Sequence, residues 1–416
     1  MALPLLLVTP LPAEQSPARD TLLARLTAEA LAANPGLASA DALARAADAR
    51  VRPAGALPDP MLSVGVMDLV LPSFAFRRSD FTEVDIEASQ EFPWPGTQRA
   101  RTQAARATAT ALVAETQGRR REILARVATM YYRLRYAVSA RATLTRQRGL
   151  LGTAVEIATT RYATGSVPQS DPLQARLARA RLDTEEAMLV EEDAILRAEL
   201  RALRNVTEEE SLAVEPVEVA PALLTELQEA VSPIDTAGAL EGHPRLAARR
   251  AALEAARSVV RVEALGARPD FTITARYGAR PIAEDFFSAF VGLRVPLWAG
   301  RKQHRLTDAA REDVRAADQA LREEQRRIEA ELRSVRAGIA AGRERLRLLV
   351  TQVVPAARET AEATLRSYRV GQLEFLTLLA VEDARYRAEL EVASVASDLM
   401  TRLVMLEQLL GRGSEP

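Results

Sequence analysis

The chain has 416 residues, with 55 lysines and arginines against 56 aspartates and glutamates, and a formal net charge of −1. Nucleic-acid-binding proteins carry an excess of basic residues, so this balance excludes that class of protein. The sequence has no cysteine, which excludes disulfides, thiol nucleophiles, thiolate metal sites and a lipid-modified N-terminal cysteine. His243 and His304 are its only histidines, so we expect no histidine-built metal site in one chain and no cofactor.

The N-terminus begins with a short apolar segment, Met1 to Val8. Because it lacks the positive charges that open an export signal, residues 1–16 are interpreted either as a short signal peptide or as a disordered tail. Residues 412–416 are interpreted as a C-terminal tail. Elsewhere no run of 18 apolar residues occurs, so the sequence predicts no transmembrane helix.

Landmarks of different kinds recur at nearly constant spacing, which indicates that one unit is duplicated. The pairs are Pro35 and Pro244, Gly96 and Gly300, and Gly165 and Gly371, which lie 209, 204 and 206 residues apart. We therefore predict a first repeat over 17–205 and a second over 243–411. The segment 206–242, rich in acidic residues and proline, is predicted to be a connector with one short helix near 222–231.

Each predicted repeat contains two stretches in which apolar and polar residues alternate, the pattern of strands with one apolar and one polar face. The predicted strands cover 61–67, 81–93, 270–278 and 286–297. Their polar face carries Glu83, Asp85, Glu87, Glu91, Thr272, Thr274 and Arg276. Trp94 and Trp298 lie at strand ends, where an aromatic girdle would meet a membrane interface.

Four strands of about 8 to 12 residues are long enough to cross a bilayer, but they are too few to close a barrel. Two arrangements remain open. Three chains can supply twelve strands, with the polar face lining a lumen and the apolar face toward lipid. Alternatively, the four strands form a small soluble sheet packed on helices. The acidic residues of the polar face would favour cations in a lumen, or they are ordinary solvated side chains.

Two very long helical runs follow the strand pairs, from about Thr97 to Tyr162 and from about Arg301 to Tyr368. Apolar residues recur in them at steps of three and four, as in helices packed against neighbours. A returning helix follows each run, so the sequence predicts two helical hairpins. The expected fold class is mainly α with short β-strands, built from a duplicated strand-strand-long-helix-hairpin unit.

The first reversal lies in the segment RYATGSVPQSDPLQA. Gly165 suits the left-handed conformation that ends a helix. Asp171 before Pro172 predicts an N-cap with proline at the first helical position, and Gln174 completes a capping-box pattern. In the second reversal, SYRVGQLEFLTLLA, Gly371 takes the place of Gly165.

These duplicated halves, proline-glycine junctions and paired reversals resemble the TolC-type outer membrane efflux proteins over about residues 34–410. The junction Glu91-Phe92-Pro93-Trp94-Pro95-Gly96 is further similar to the branch that serves heavy-metal resistance pumps. The resemblance implies a homotrimer with a twelve-stranded outer membrane β-barrel and a long α-helical barrel in the periplasm. It also implies three partners: a periplasmic adaptor, an inner-membrane pump and outer membrane lipid.

In such channels the tips of the helical hairpins contact the adaptor and form the closed entrance. The resemblance places this role at Gly165, Ser166, Val167, Asp171, Gly371, Gln372, Leu373 and Glu374. Asp171, Tyr162 and Tyr368 are candidates for gating. Their plainer roles are an N-cap for Asp171 and helix-end packing for the two tyrosines. Thr377 corresponds to Asp171 in the second tip, so the charge network that closes some relatives is not matched there.

Three functions of different classes remain open at this level. The first is a passive outer membrane exit duct, with metal cations favoured over drugs or secreted proteins as substrate. The second is a soluble periplasmic helical scaffold. The third is an enzyme, for which the sequence offers no nucleophile-base pair, phosphate loop or ligand cluster; we therefore expect no catalysis.

Overall fold

The computed structural model describes residues 21–69, 71–72, 74–208, 212–217, 240 and 242–410. The predicted signal or tail over 1–16, the short helix near 222–231 and the tail over 412–416 lie outside the described residues. The chain is organised in two compact units. The helical unit comprises the described parts of Met1–Pro35, Arg120–Ala239 and Ile328–Pro416, and the sheet unit comprises those of Gly36–Arg119 and Leu240–Arg327.

The described residues form two copies of one pattern, in which helix, two strands and a long helical hairpin follow one another. In chain order the elements are α1 (Thr21–Ala33), α2 (Pro35–Ala49), α3 (Val51–Ala54), β1 (Met61–Met67), β2 (Glu83–Phe92), α4 (Thr97–Ala163), α5 (Ser170–Arg204), α6 (Pro244–Leu265), β3 (Asp270–Ala279), β4 (Phe286–Arg294), α7 (Gln303–Leu348), a π-helical turn (Leu349–Val353), α8 (Val354–Arg369) and α9 (Phe375–Leu409). The predicted fold class, mainly α with short strands in a duplicated unit, is confirmed.

The sheet unit contains one antiparallel sheet in the order β1-β2-β3-β4. Ile86 in β2 pairs with Val64 in β1 and with Tyr277 in β3, and Ile273 in β3 pairs with Val291 in β4. Because paired residues share a face, the apolar positions of all four strands lie on the same side. This apolar face is exposed, with Val64 69% and Val291 78% accessible.

Helices of the sheet unit are held by small apolar contacts and by capping. Ala47 and Val51 pack against Ala109 of α4 in one buried cluster. His243 is the N-cap of α6, since its Nδ1 accepts a hydrogen bond from the backbone N–H of Arg245 at 3.2 Å.

The core of the helical unit runs along the hairpins. Its buried members come from α4, α5, α8 and α9 and include Ala158, Ala175, Tyr368, Phe375 and Leu378. Burying each of the larger apolar side chains contributes about 1.5–3 kcal/mol. Within the described residues, no helix has a stretch both long and apolar enough to cross a membrane.

The second long helical run, predicted from about Arg301 to Tyr368, is present over Gln303–Arg369 and contains one local irregularity. A π-helical turn, Leu349–Val353, separates α7 from α8. The cause is Pro355 at the start of α8, because proline has no N–H to donate and its ring clashes with the preceding turn. A wider turn accommodates the ring and lets the chain continue as a helix.

Candidate functional site

The first reversal ends α4 with a paired hydrogen-bond motif. Gly165 has φ +73°, and its N–H donates to the carbonyl of Tyr162 at 2.9 Å. The N–H of Ser166 donates to the carbonyl of Arg161 at 2.8 Å. These two bonds satisfy the last carbonyls of the helix, and they require the left-handed residue that glycine provides at little cost.

The second reversal repeats this geometry. Gly371 has φ +81°, its N–H donates to the carbonyl of Tyr368, and the N–H of Gln372 donates to the carbonyl of Ser367, both at 3.0 Å. The predicted equivalence of the two glycines therefore extends to the hydrogen bonds around them.

Asp171 is not the N-cap that the sequence pattern predicted. Helix α5 begins at Ser170, its N-cap is Gln169, and that residue makes no side-chain capping bond. The backbone N–H of Asp171 donates to the carbonyl of Pro168 at 3.2 Å, so the first helical turn forms upstream of the expected position. The predicted capping box is also absent, since Oε1 of Gln174 has no hydrogen-bond partner. Asp171 lies instead in the first turn, where the helix dipole stabilises its negative charge.

A clamp joins the two reversals. Nη1 of Arg161 donates to the carbonyl of Tyr368 at 2.8 Å, and its guanidinium carbon lies 5.1 Å from the centroid of the Tyr368 ring. That ring packs against Phe375, with the centroids 5.4 Å apart. The hydrogen bond and the cation–π contact both hold the first tip on the second.

The three gating candidates have different environments. Tyr368 is fully buried, Asp171 is 9% exposed and Tyr162 is 43% exposed. Burial raises the pKa of the Tyr368 hydroxyl, and the negative charge of Asp171 raises it further. The guanidinium of Arg161 acts in the opposite direction and lowers this pKa. The side chain of Tyr162 is largely in solvent.

Most of the positions that the resemblance assigns to adaptor contact are on the surface. Gly165, Ser166, Gly371, Gln372, Leu373 and Glu374 are exposed, Val167 is half-buried, and Asp171 is buried. Two large apolar residues beside the second reversal, Val370 and Leu376, are also exposed. The paired tips thus present a surface that combines backbone turns with accessible apolar side chains.

The polar face of the sheet is a paired ionic surface. Glu83 and Asp85, which are 6% and 8% exposed, both contact Arg276, at 2.5 and 3.3 Å. Arg294 makes two hydrogen bonds to the carboxylate of Glu91, at 2.7 and 2.9 Å. The acidic stripe that the sequence predicted is therefore substantially neutralised by arginine.

The remaining predicted polar positions lie on the same face. Glu87 pairs in register with Arg276, and Thr272 and Thr274 pair with Glu91 and Ser89. Phe286 and Phe290 share this face because they pair with Gly278 and Thr274.

Sequence reasoning missed several members of these sites. Arg280 completes the ionic cluster, with Nε 3.6 Å from Glu83, and its guanidinium carbon lies 4.6 Å from the centroid of the Phe286 ring. Arg161 was also missed. In the sequence it precedes Tyr162, whereas Ser367 precedes the equivalent Tyr368, and this difference alone does not indicate a contact between the tips.

An apolar cavity of about 570 Å³ opens in the sheet unit where β2 and β3 meet the start of α4. Its walls include Leu57, Phe92, Gln98, Phe271, Ile273 and Val291. Trp94 stacks on Phe271, with the centroids 5.8 Å apart, and its backbone N–H donates to Asp270 at 3.0 Å. No group of three or more histidine or carboxylate side chains that could hold a metal ion occurs in the described part of the chain.

Known proteins share this architecture. The sequence model of the family described as "Outer membrane efflux protein" matches residues 26–207 and 237–412. The outer-membrane channel OprN superposes with a TM-score of 0.81 at 20% identity, covering 95% of this chain and 91% of that one. The outer membrane protein VceC from Vibrio cholerae gives 0.77 at 20% identity, covering 95% and 97%. CusC gives 0.77 at 15% identity, covering 95% and 93%.

At these identities the superpositions establish the fold. No curated protein sequence matches the chain. The family match spans most of the sequence, and the chain belongs to the outer membrane efflux protein family. The protein is thus an outer membrane channel of the TolC type. The members of this family are classed as channels and not as enzymes.

Proposed function

We propose that the protein is the exit duct of a tripartite efflux system, which conducts substrates passively from a periplasmic adaptor and an inner-membrane pump to the exterior. Three copies contribute twelve strands to one outer membrane barrel, and the long hairpins form a helical barrel in the periplasm. The observation that carries the proposal is the sheet, because its apolar face is exposed while its ionic side chains are paired on the other face.

The edges of the sheet support a closed assembly. Among the described residues, β1 and β4 each have a neighbouring strand on one side only. In lipid an unpaired strand edge costs several kcal/mol for each unsatisfied backbone group. Pairing β1 of one copy with β4 of the next removes both edges, and it continues the apolar face around the barrel.

The tips of the hairpins are the proposed adaptor contact and entrance. Their exposed turn residues, Gly165, Ser166, Gly371, Gln372 and Glu374, are accessible to a partner. Buried Asp171 and Tyr368 lie behind them, so in this proposal they set the closed arrangement rather than touch the adaptor directly.

Metal cations are the proposed substrate class. Support comes from the resemblance of the Glu91–Gly96 junction and from the polar face of the strands. That face carries four carboxylates, Glu83, Asp85, Glu87 and Glu91, against three arginines, Arg276, Arg280 and Arg294. An excess of carboxylates favours cations in a pore, and the arginines moderate that preference.

Proline substitution tests the closed barrel. Successive residues of an antiparallel strand direct their N–H groups to opposite sides. One of Phe290 and Val291 therefore points its N–H away from β3. At the free edge of a soluble sheet, proline is tolerated at that position, whereas in a barrel every strand is central and both positions need the N–H. We expect Phe290→Pro and Val291→Pro each to abolish assembled trimer in the outer membrane fraction.

Val291→Thr is the matched control, because it keeps the N–H and a β-branched side chain, and it should assemble normally. Normal assembly of either proline variant would contradict the closed barrel.

The proposed substrate class is tested separately. A deletion strain complemented with the wild-type gene should regain tolerance to transition-metal salts more than to organic dyes. Rescue of dye tolerance alone would replace the metal assignment and leave the duct in place.

A further inference from the structure

The apolar cavity of the sheet unit is a largely open depression on the surface of that unit. Its volume of about 570 Å³ falls within the roughly 300–1,000 Å³ typical of small-molecule pockets. Phe271, Ile273 and Val291 belong both to its wall and to the exposed apolar face of the sheet. The cavity is therefore continuous with the surface that the proposed function places in lipid.

A positively charged side chain, that of Arg268, lies beside this cavity. The guanidinium carbon of Arg268 lies 6.0 Å from the centroid of the Trp94 ring, and Trp94 stacks on Phe271 of the cavity wall. The side chain of Arg268 is exposed. An accessible arginine one ring away from an apolar cavity offers charge complementarity to an anionic group attached to an apolar chain.

We infer that this cavity binds one phospholipid, with an acyl chain between Leu57 and Ile273 and the phosphate paired with the guanidinium of Arg268, beside Trp94. The inference rests on the proposed function, because the apolar face must lie in a membrane for the cavity to meet lipid. Tryptophan suits the interfacial position, and arginine binds phosphate through paired N–H donors. The bound lipid fills space that the strands and the first turn of α4 leave open.

Tryptophan fluorescence tests the site directly. Trp94 and Trp298 are the only tryptophans, so a Trp298→Phe background leaves Trp94 as the sole reporter. The full-length protein in detergent is titrated with phosphatidylglycerol carrying brominated acyl chains, since bromine quenches tryptophan on contact. We expect saturable quenching with one lipid per chain. Arg268→Gln should raise the half-saturating concentration about fivefold, as expected for loss of one arginine near an anionic headgroup.

Two further variants separate the parts of the site. Leu57→Phe with Ile273→Phe narrows the cavity and should abolish saturable quenching, while Arg268→Lys should keep most of the affinity. Arg249→Gln, an exposed arginine near the start of α6, is the matched control and should bind as the parent does. Arg268→Gln changes an exposed side chain, so it tests the inference even if the double variant fails to fold.

Non-saturating quenching that is equal in all variants would show general partition into the micelle and overturn the inference. Absence of quenching in the Trp298→Phe parent would show that lipid does not reach Trp94, and it would overturn the inference as well. Light scattering on the same samples keeps the two proposals apart. A trimer without saturable quenching removes only the lipid site, whereas a particle that is not a trimer removes the proposed duct.

Discussion

The two reversals of the helical unit have the same backbone and different side chains. In both, a glycine with positive φ closes the same pair of hydrogen bonds, and the glycines lie 206 residues apart. Yet Tyr162 of the first is 43% exposed, whereas Tyr368, at the equivalent position of the second, is fully buried. Arg161 accounts for part of this difference, because it covers the Tyr368 ring and its counterpart is Ser367.

The comparison shows which features a duplicated unit retains. The turn is retained because its backbone needs a left-handed residue in both copies. The side chains have diverged, so that one tip supplies the clamp and the other supplies the buried ring. A single chain thereby joins its two hairpins at the proposed entrance of the duct.

The largest expected effect separates the two tyrosines. Tyr368→Ala removes a buried ring that packs on Phe375 and should lower the free energy of unfolding by about 3–5 kcal/mol. Tyr162→Ala removes a largely solvated ring and should cost less than about 1 kcal/mol. Thermal unfolding followed by circular dichroism of the detergent-extracted protein measures both. Equal losses would show that the two tips are equivalent in packing.

Removal of the Arg161 clamp should have the second-largest effect on stability. Arg161→Gln removes a charged hydrogen bond to the carbonyl of Tyr368 and a cation–π contact, so we expect a loss of about 2 kcal/mol. If the clamp holds the entrance closed, the variant should also raise single-channel conductance in planar bilayers. Arg366→Gln, an exposed arginine of α8, is the matched control. Unchanged stability and conductance in Arg161→Gln would show that Arg161 does not hold the two tips together.

Alanine substitutions at Gly165 and Gly371 should differ slightly in their cost to stability. An alanine at either position must adopt the left-handed conformation, which costs about 1–2 kcal/mol. At Gly371 the added Cβ would also lie 3.0 Å from Nη2 of Arg161, whereas nothing lies within 4 Å at Gly165. Gly371→Ala should therefore cost a few tenths of a kcal/mol more than Gly165→Ala, since the arginine can shift slightly. Combining Gly371→Ala with Arg161→Gln should erase that excess.

The smallest effect concerns alkaline pH. The pKa of Tyr368 is raised above its ordinary value of 10.0 by burial and by the charge of Asp171. Above about pH 10 the unfolded chain loses this proton before the folded protein does, so stability that is complete below pH 10 decreases as the pH rises. Tyr368→Phe should make the decrease shallower in unfolding experiments between pH 9 and 11. An identical slope in both proteins would contradict the buried position of the hydroxyl.

Local patterns in the sequence predicted the sheet well. Alternation in each strand separated Val84 and Ile86 from Glu83 and Asp85, because the side-chain period of a strand is two. Alternation could not predict that β2 pairs with β3, since that contact joins the two repeats. The ion pairs of Arg276 and Arg294 with the acidic residues depend on this long-range pairing, so the sequence alone could not predict them.

For the hairpin tips, the sequence predicted the turns of the backbone but not the side-chain contacts. Gly165 and Gly371 were predicted correctly because a left-handed turn leaves a local signal. The N-cap assignment of Asp171 was wrong because the helix starts with a turn at Pro168 that the motif does not encode. The clamp was missed because Arg161 and Tyr368 are 207 residues apart and meet only through the packing of both hairpins.

The central claim is that three copies of this chain close one barrel in the outer membrane. It is tested most directly by the mass of the detergent-extracted protein from light scattering, with the detergent contribution subtracted. We expect a particle of three 45.3 kDa chains, recovered only from the membrane fraction. A monomer that remains in solution without detergent would contradict it and would return the four strands to a small soluble sheet.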